Sequence, residues 1–205
     1  MKIKIVEMVF RKIWVCLFII CLSSCVVAKF KTNIVKTSDL TKLSGKFLLN
    51  DFEGKSAFKI NKEAHKELSA IIKDTIIKIR DIRPSILGMY GYDIPFQLNK
   101  KQLKDIYALT NTKYLINLKG TVLKDDLSLF VGSTTYGTTG KINKVRLEIS
   151  LYDLQKVTLL SHKIIEGVIE VDVNTEDNWT LVQSVENMQL RSLKKIIRSY
   201  KKELK

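Results

Sequence analysis

Few residues in this 205-residue chain are placed to do chemistry. His65 and His162 are its two histidines, far apart, with no His-Glu-x-x-His spacing to gather metal ligands on one helix face. A packing or surface role is expected of each. Serine, histidine and aspartate all occur, yet no Gly-x-Ser-x-Gly turn lifts a serine out of a sheet as a nucleophile. Asp125 and Asp126 could act as paired acids, but neighbours at a turn between strands are expected to be solvated. Residues 132–141, GSTTYGTTGK, carry the glycines and lysine of a phosphate cradle. A P-loop also needs Ser or Thr after the lysine, opening a helix; here Ile142 follows Lys141 and a strand begins. The stretch reads as a hairpin loop, with Tyr136 at its tip as a candidate partner contact. No catalytic residue, metal site or cofactor site emerges.

The remaining reactive residues are cysteines near the start. Lys2, Lys4, Arg11 and Lys12 form a positive leader, residues 13–22 an apolar run of ten, and Ser23 and Ser24 small residues before Cys25. That order is the one of a secretion signal. The run is too short to span about 30 Å of hydrocarbon, for which roughly 20 residues are needed. Leu22-Ser23-Ser24-Cys25 resembles the lipobox of bacterial lipoprotein signal peptides: an aliphatic residue, two small ones and the modified cysteine. The resemblance implies cleavage between Ser24 and Cys25, thioether lipidation of Cys25, and attachment to a membrane through that lipid. Cys16 and Cys21 would leave with the signal. A lipidated Cys25 would then leave no thiol for a disulfide, a cysteine nucleophile or a cysteine-rich metal site.

The chain divides accordingly into a signal (1–24), a lipidated tether (25–44) and a single domain (45–205). Residues 26–44 show little periodicity and many Lys, Thr and Ser; as a flexible coil they would span roughly 24 Å. The 181 residues after the signal can bury a core without metals or disulfides. The whole chain carries +14; loss of the signal leaves 31 basic and 20 acidic residues, a net +11. An exported protein does not normally meet nucleic acid, so anionic head groups or acidic envelope polymers suit this charge better, and a plain lysine-rich composition accounts for it better still.

Pattern predicts the elements. A first strand is expected over 46–51. Asn61 reads as an N-cap for an amphipathic helix over 61–79, with Pro84 beyond its end. A second strand is expected over 85–90, then a helix over 100–109 capped by Asn99. A strand over 113–123 follows, with Gly120 suggesting a bulge, and a further strand over 127–131. Val145, Leu147, Ile149 and Leu151 alternate with Arg146, Glu148, Ser150 and Tyr152, a strand with one wet face. A turn over 153–156 returns the chain into a strand over 158–171. A helix over 177–203 closes the sequence, with Arg191, Lys194, Lys195, Arg198, Lys201 and Lys202 crowding its last part, where the helix dipole favours them. The fold class expected is α+β or mixed α/β: an antiparallel-rich sheet packed with two or three helices, including a long C-terminal one.

This order resembles the bacterial envelope lipoproteins that include penicillin-binding-protein activators and the curli secretion channel subunit. Tyr114, Leu115 and Gly120 in TNTKYLINLKGTVL match that family's first strand, after a helix. Leu151, Asp153, Leu159 and Gly167 match its later strand pair, though Gln155-Lys156-Val157 replaces the family's Thr-Gly turn. The resemblance covers about residues 98–200. It implies a non-catalytic α/β domain that binds an envelope protein partner, and it carries over no site residue. Val26, rather than Asp, after the cysteine implies the periplasmic face of the outer membrane. Two alternatives stand beside it. One is an oligomeric outer-membrane secretion-channel subunit, although 127–131 falls short of the about 9–11 residues a membrane strand needs. The other is an enzyme of unrecognised type, which would need a deep pocket with converging polar groups.

Overall fold

The computed structural model describes residues 25–36, 40–82, 94–127, 130–131, 141–171 and 180–202. Its strands are β1 (Cys25–Val26), β2 (Lys29–Lys36), β3 (Phe47–Leu49), β4 (Ile76–Lys78), β5 (Tyr114–Asp125), β6 (Phe130–Val131), β7 (Lys141–Asp153), β8 (Thr158–Val171) and β9 (Thr180–Val182). Its helices are α1 (Ala57–Ser69), α2 (Lys100–Thr110) and α3 (Val185–Lys202), with a short 3-10 turn at Leu40–Lys42. Six strands form one sheet in the order β2-β8-β7-β5-β3-β4, antiparallel from β2 to β5 and parallel across β5, β3 and β4. A second sheet orders β1-β9-β6. The fold is α+β.

Alternation makes the centre. Leu147, Ile149 and Leu151 of β7 are buried against α1 and α3, and Val145 of the same strand is buried in a neighbouring cluster with Met188 of α3. From β3 and β5 the first three are joined by Phe47 and Tyr114, whose rings stack at 4.7 Å, and by Ile116 and Leu118. Helix α1 contributes Ile60, Ala64 and Leu68, and α3 contributes Leu193, Ile196, Ile197 and Tyr200. An isolated helix as short as the 13 residues of α1 is marginal in water. Its N-cap Ser56 supplies no side-chain hydrogen bond, so packing holds it. Helix α2 matches its expected start: Asn99 and Gln102 form a reciprocal capping box, and Asn111 ends the helix in a left-handed conformation. It covers the lower part of the opposite sheet face through Leu103 and Ile106, against Leu48, Leu115 and Tyr152.

Several expectations are corrected. Residues 29–36, within the expected tether, form the edge strand β2, paired antiparallel with β8; Phe30 stands opposite Gly167 and under the Lys195 ammonium. Leu40 nearby is buried. The helix expected over 61–79 runs instead over Ala57–Ser69, because Asn61 is engaged in the helix interior and Ile76–Lys78, with β-branched Ile76 and Ile77, pairs parallel with β3. Gly120 makes no bulge; β5 shifts register between Val122 and Lys124. Within the strand expected over 127–131, Phe130–Val131 joins β9 rather than prolonging β5. Thr180–Val182 is likewise strand, so the last helix begins at Val185, its first turn met by the Ser184 hydroxyl accepting from the Asn187 N–H. On the wet side of β7, Arg146 and Glu148 are half-buried while Ser150 and Tyr152 are buried. The strand expected over 85–90 lies outside the described residues.

One contact fixes the crossover from β3 to α1. After Leu49 the chain keeps running beside β5: the Asn50 N–H donates to Ile116, the Glu53 N–H to Leu118, and the Gly120 N–H returns to Glu53. Phe52 lays its ring over Gly120. A Cβ at position 120 would come within 2.2 Å of Phe52 Cζ and 3.0 Å of Gln189 Nε2. Gly54, at φ 147°, then turns the chain into α1. Gly120→Ala is therefore expected to destabilise the fold by about 1–3 kcal/mol through overpacking, against about 0.4–1 kcal/mol returned by a stiffer unfolded chain. In a Phe52→Ala background the same change should cost little. A urea-denaturation double-mutant cycle checks both; an equal cost in the two backgrounds would refute the contact.

Candidate functional site

Two polar clusters stand out, on opposite sides of β5. The first lies on the sheet face away from α1. Ser150 Oγ is 3.1 Å from His162 Nδ1, and His162 Nε2 is 3.4 Å from Glu148 Oε2. Serine, imidazole and carboxylate in a chain invite a nucleophile reading. Burial argues against it: Ser150 is 1% exposed and both imidazole nitrogens are already engaged. Above them runs the segment 94–98. Asn50 donates to the Ile94 carbonyl, Asn117 to those of Pro95 and Phe96, and Phe96 meets the His162 ring edge-on at 6.1 Å. These side chains satisfy the backbone of a strap that would otherwise bury bare carbonyls. Beyond the strap the face opens onto charges: Arg146 grips Glu166 at 2.6 and 2.9 Å, with Lys144 at 3.5 Å. The Arg146 guanidinium, first, and then the Lys144 ammonium hold the Glu166 carboxyl below its usual range, against the opposing effect of burial.

The second cluster is a cleft of about 440 Å³ outside the carboxyl ends of β3 and β4, beside α1. Leu49, Asn50 and Asp51 come from the end of β3, Lys78, Arg80 and Asp81 from the end of β4. Phe58, Asn61, Lys62 and His65 recur at helical spacing along α1, so they share one face of it. Arg80 Nε donates to both oxygens of Asp51, at 2.8 and 2.9 Å. Asn61 stitches helix to strand: its carbonyl accepts from the Phe52 N–H at 2.7 Å, and its amide donates to Asp51 at 3.3 Å. Burial, aided by the Lys78 ammonium, pushes the His65 pKa below 6.5; the Asp81 carboxylate opposes it. The wall is thus held together by its own hydrogen bonds while Lys62, Lys78 and Asp81 face the opening. Binding in a crevice outside strand carboxyl ends is the common pattern of α/β sheets.

The sequence-predicted positions fall elsewhere. Cys25 begins β1 and pairs with Leu181 of β9. Ser24 and Tyr136 lie outside the described residues. Asp125 ends β5, 3.9 Å from Lys55, and Asp126 lies 3.5 Å from Lys124; both are exposed, as expected of a turn. Among the described residues no group of three or more His, Cys, Asp or Glu could hold a metal ion. The cleft escaped sequence reading. Its residues come from three elements, and the pair that closes its wall, Asp51 and Arg80, is separated by 29 positions.

What the residues define is an α+β domain with a polar recess beside α1. No family model and no curated protein matches the chain. Among solved structures it is similar in arrangement to the PelC dodecamer from Paraburkholderia phytofirmans, at 9% identity and TM-score 0.46, over 84% of this chain and 97% of that one. It is similar also to the lipoprotein GNA1162 from Neisseria meningitidis, at 10% identity and TM-score 0.43, over 78% and 98%. A third is the C-terminal domain of LpoB from Salmonella enterica, at 12% identity and TM-score 0.40, over 62% and 82%.

His65 gives the cleft a pH signature. Its folded pKa lies below 6.5, so the unfolded chain takes up a proton that the native state resists. That contribution costs nothing well above pH 6.5 and grows as pH falls from 6.5 towards the folded pKa. His65→Gln should lose less stability than the parent between pH 7.5 and 5.5, measured by urea denaturation. An identical loss in both chains would remove the burial from the account.

Proposed function

We propose that this protein is a lipid-anchored component of the bacterial envelope that acts by binding a partner, not by catalysis. The observation that carries the reading is Leu22-Ser23-Ser24-Cys25 at the end of a ten-residue apolar run behind a positive leader. Cys25 carries the lipid, and cleavage falls between Ser24 and Cys25. The site of action is the periplasmic face of the outer membrane.

The pairing of Cys25–Val26 with β9 changes what such an anchor would do. Only Val27 and Ala28 separate β1 from the edge strand β2. The body would therefore sit at the bilayer itself rather than swing on a tether, and its reach would be set by its own dimensions. Binding is supported over catalysis by the chemistry of the two clusters. Ser150 is covered, one of the two cleft acids, Asp51, is already committed to Arg80 and Asn61, and among the described residues the cleft lining holds no serine, threonine or cysteine as a nucleophile.

Cys25→Ala is expected to abolish metabolic labelling by a palmitate analogue and to release the chain from the membrane fraction. Persistent labelling, or an unmodified full-length N-terminus in soluble extract, would overturn the anchor. Crosslinking in membranes should capture one specific envelope protein, and a fluorophosphonate probe should leave Ser150 unlabelled. Labelling at Ser150 would overturn the binding reading in favour of an enzyme.

A further inference from the structure

We propose that the cleft between α1 and the ends of β3 and β4 binds a carboxylate carried on an apolar body, with the C-terminal residue of a peptide as the occupant it fits. This deepens the binding reading and rests on it.

Charge sets the first half of the proposal. Lys62, Lys78 and Arg80 line the cleft together with Asp51 and Asp81, one net positive charge when His65 is neutral. Arg80 and Asp51 satisfy each other. Lys62 and Lys78 form no ion pair with any described residue. Two ammonium groups at the mouth of a half-walled recess attract an anion, and an ammonium–carboxylate hydrogen bond out of bulk water is stronger than a neutral one. Asp81 limits the excess to a single charge, which matches one carboxylate and disfavours a polyanion.

Shape sets the second half. Leu49 lies in the cleft lining, and Phe58 stands at its lip 73% exposed. One exposed aromatic on a surface means little. Here it gives a charged recess an apolar wall, and about 440 Å³ lies in the range of small-ligand sites. A terminal apolar residue would lay its side chain along Phe58 and Leu49 and turn its carboxylate towards Lys78 and Lys62. The backbone amide before it would meet His65, whose neutral imidazole can either donate or accept.

The test uses the purified full-length chain in detergent and three probes: acetyl-Ala-Ala-Phe as the free acid, the same peptide as its C-terminal amide, and 3-phenylpropionate. Binding is followed by calorimetry and by the His65 ring proton in NMR. The free acid should bind about tenfold or more tighter than the amide, the worth of a charge-assisted hydrogen bond, and should raise the His65 pKa. Lys62→Gln and Lys78→Gln should each erode the preference for acid over amide. Phe58→Ala should weaken acid and amide alike. All three positions are exposed or half-exposed, and thermal melts matching the parent show that the variants fold; the acid–amide comparison in the parent decides without them. Tighter binding of the peptide than of 3-phenylpropionate assigns a chain terminus, and equal binding assigns any apolar carboxylate. Equal binding of acid and amide, or no saturable binding of any probe, would overturn the proposal. Recovery of the probes intact by mass spectrometry separates this from the parent reading: consumption of a bound probe would sink binding without catalysis while leaving the cleft its ligand class.

Discussion

The structure turns on a missing side chain. Because position 120 carries no Cβ, the ring of Phe52 can lie flat on β5, within van der Waals reach of the strand backbone. The chain after β3 is thereby held alongside β5 through Glu53, which bridges to Lys119 in parallel register and pairs with its ammonium. That fixes where Gly54 turns and where α1 begins. Asn61, one turn into α1, then meets the backbone of Phe52 and the carboxylate of Asp51, and Asp51 holds Arg80 from the far side of β4. Core packing and cleft geometry are consequently one system: a change that lifted Phe52 would move the wall on which Lys62, His65 and Lys78 stand.

The six-stranded sheet is used differently on its two faces. One face is mostly apolar and covered by α1 and α3, with Ser161 and Lys163 of β8 among its buried polar residues. The other is apolar under α2 and polar beyond it, where Asn117 and Asn50 spend their amides on the carbonyls of residues 94–96. Tyr152, pushed to a higher pKa chiefly by burial, sits at the boundary between the two regions. A fully buried Lys163 lies on the helix-covered face, where its ammonium donates to Ser199 and rests 3.7 Å from the Tyr200 ring centroid. Ser161, two residues earlier on that same face, is 2.9 Å from the Tyr200 hydroxyl. These contacts tie the last turns of α3 to β8 by polar bonds, as the ion pairs of Glu186 with Lys59 and of Lys194 with Glu63 tie the helix to α1.

Where one face of an element is buried and the other wet, its sequence was readable. The inward residues of β7 lie where expected, as does the Asn99 cap of α2, while the expected wet face of β7 is covered at Ser150 and Tyr152. β2 was illegible for the opposite reason: almost every side chain in Lys29–Lys36 is exposed, so no period marks it, and only its pairing with β8 makes it a strand. Ile72, Thr75, Ile76 and Ile79 fit a helical stripe, and the decision that makes Ile76–Lys78 a strand belongs to β3, which is far away in sequence. Val157 shows a similar override. It adopts a left-handed conformation that a β-branched residue ordinarily avoids, because the turn is fastened by Asp153 accepting from the Lys156 N–H at 2.8 Å. The cleft could not be read at all, since no local pattern distinguishes its lysines from the many others in a chain of this charge.

The placement of β1 also bears on what that charge can do. Helix α3 starts beside β9, the strand that pairs with Cys25–Val26, and ends beside the start of β8. Lys195, ten positions past Val185, stands with its ammonium 4.6 Å from the Phe30 ring centroid, and Phe30 is five residues from Cys25. If Cys25 bears a lipid, Lys195 and the exposed Lys29 and Lys31 of β2 lie beside the anchor, where a basic residue contributes about 1 kcal/mol of attraction to an anionic surface. Lys194 is instead paired with Glu63 at 2.8 Å. Part of the net charge is therefore placed to hold the body against head groups, and the cleft between α1 and β4 is left as a separate surface for a separate contact.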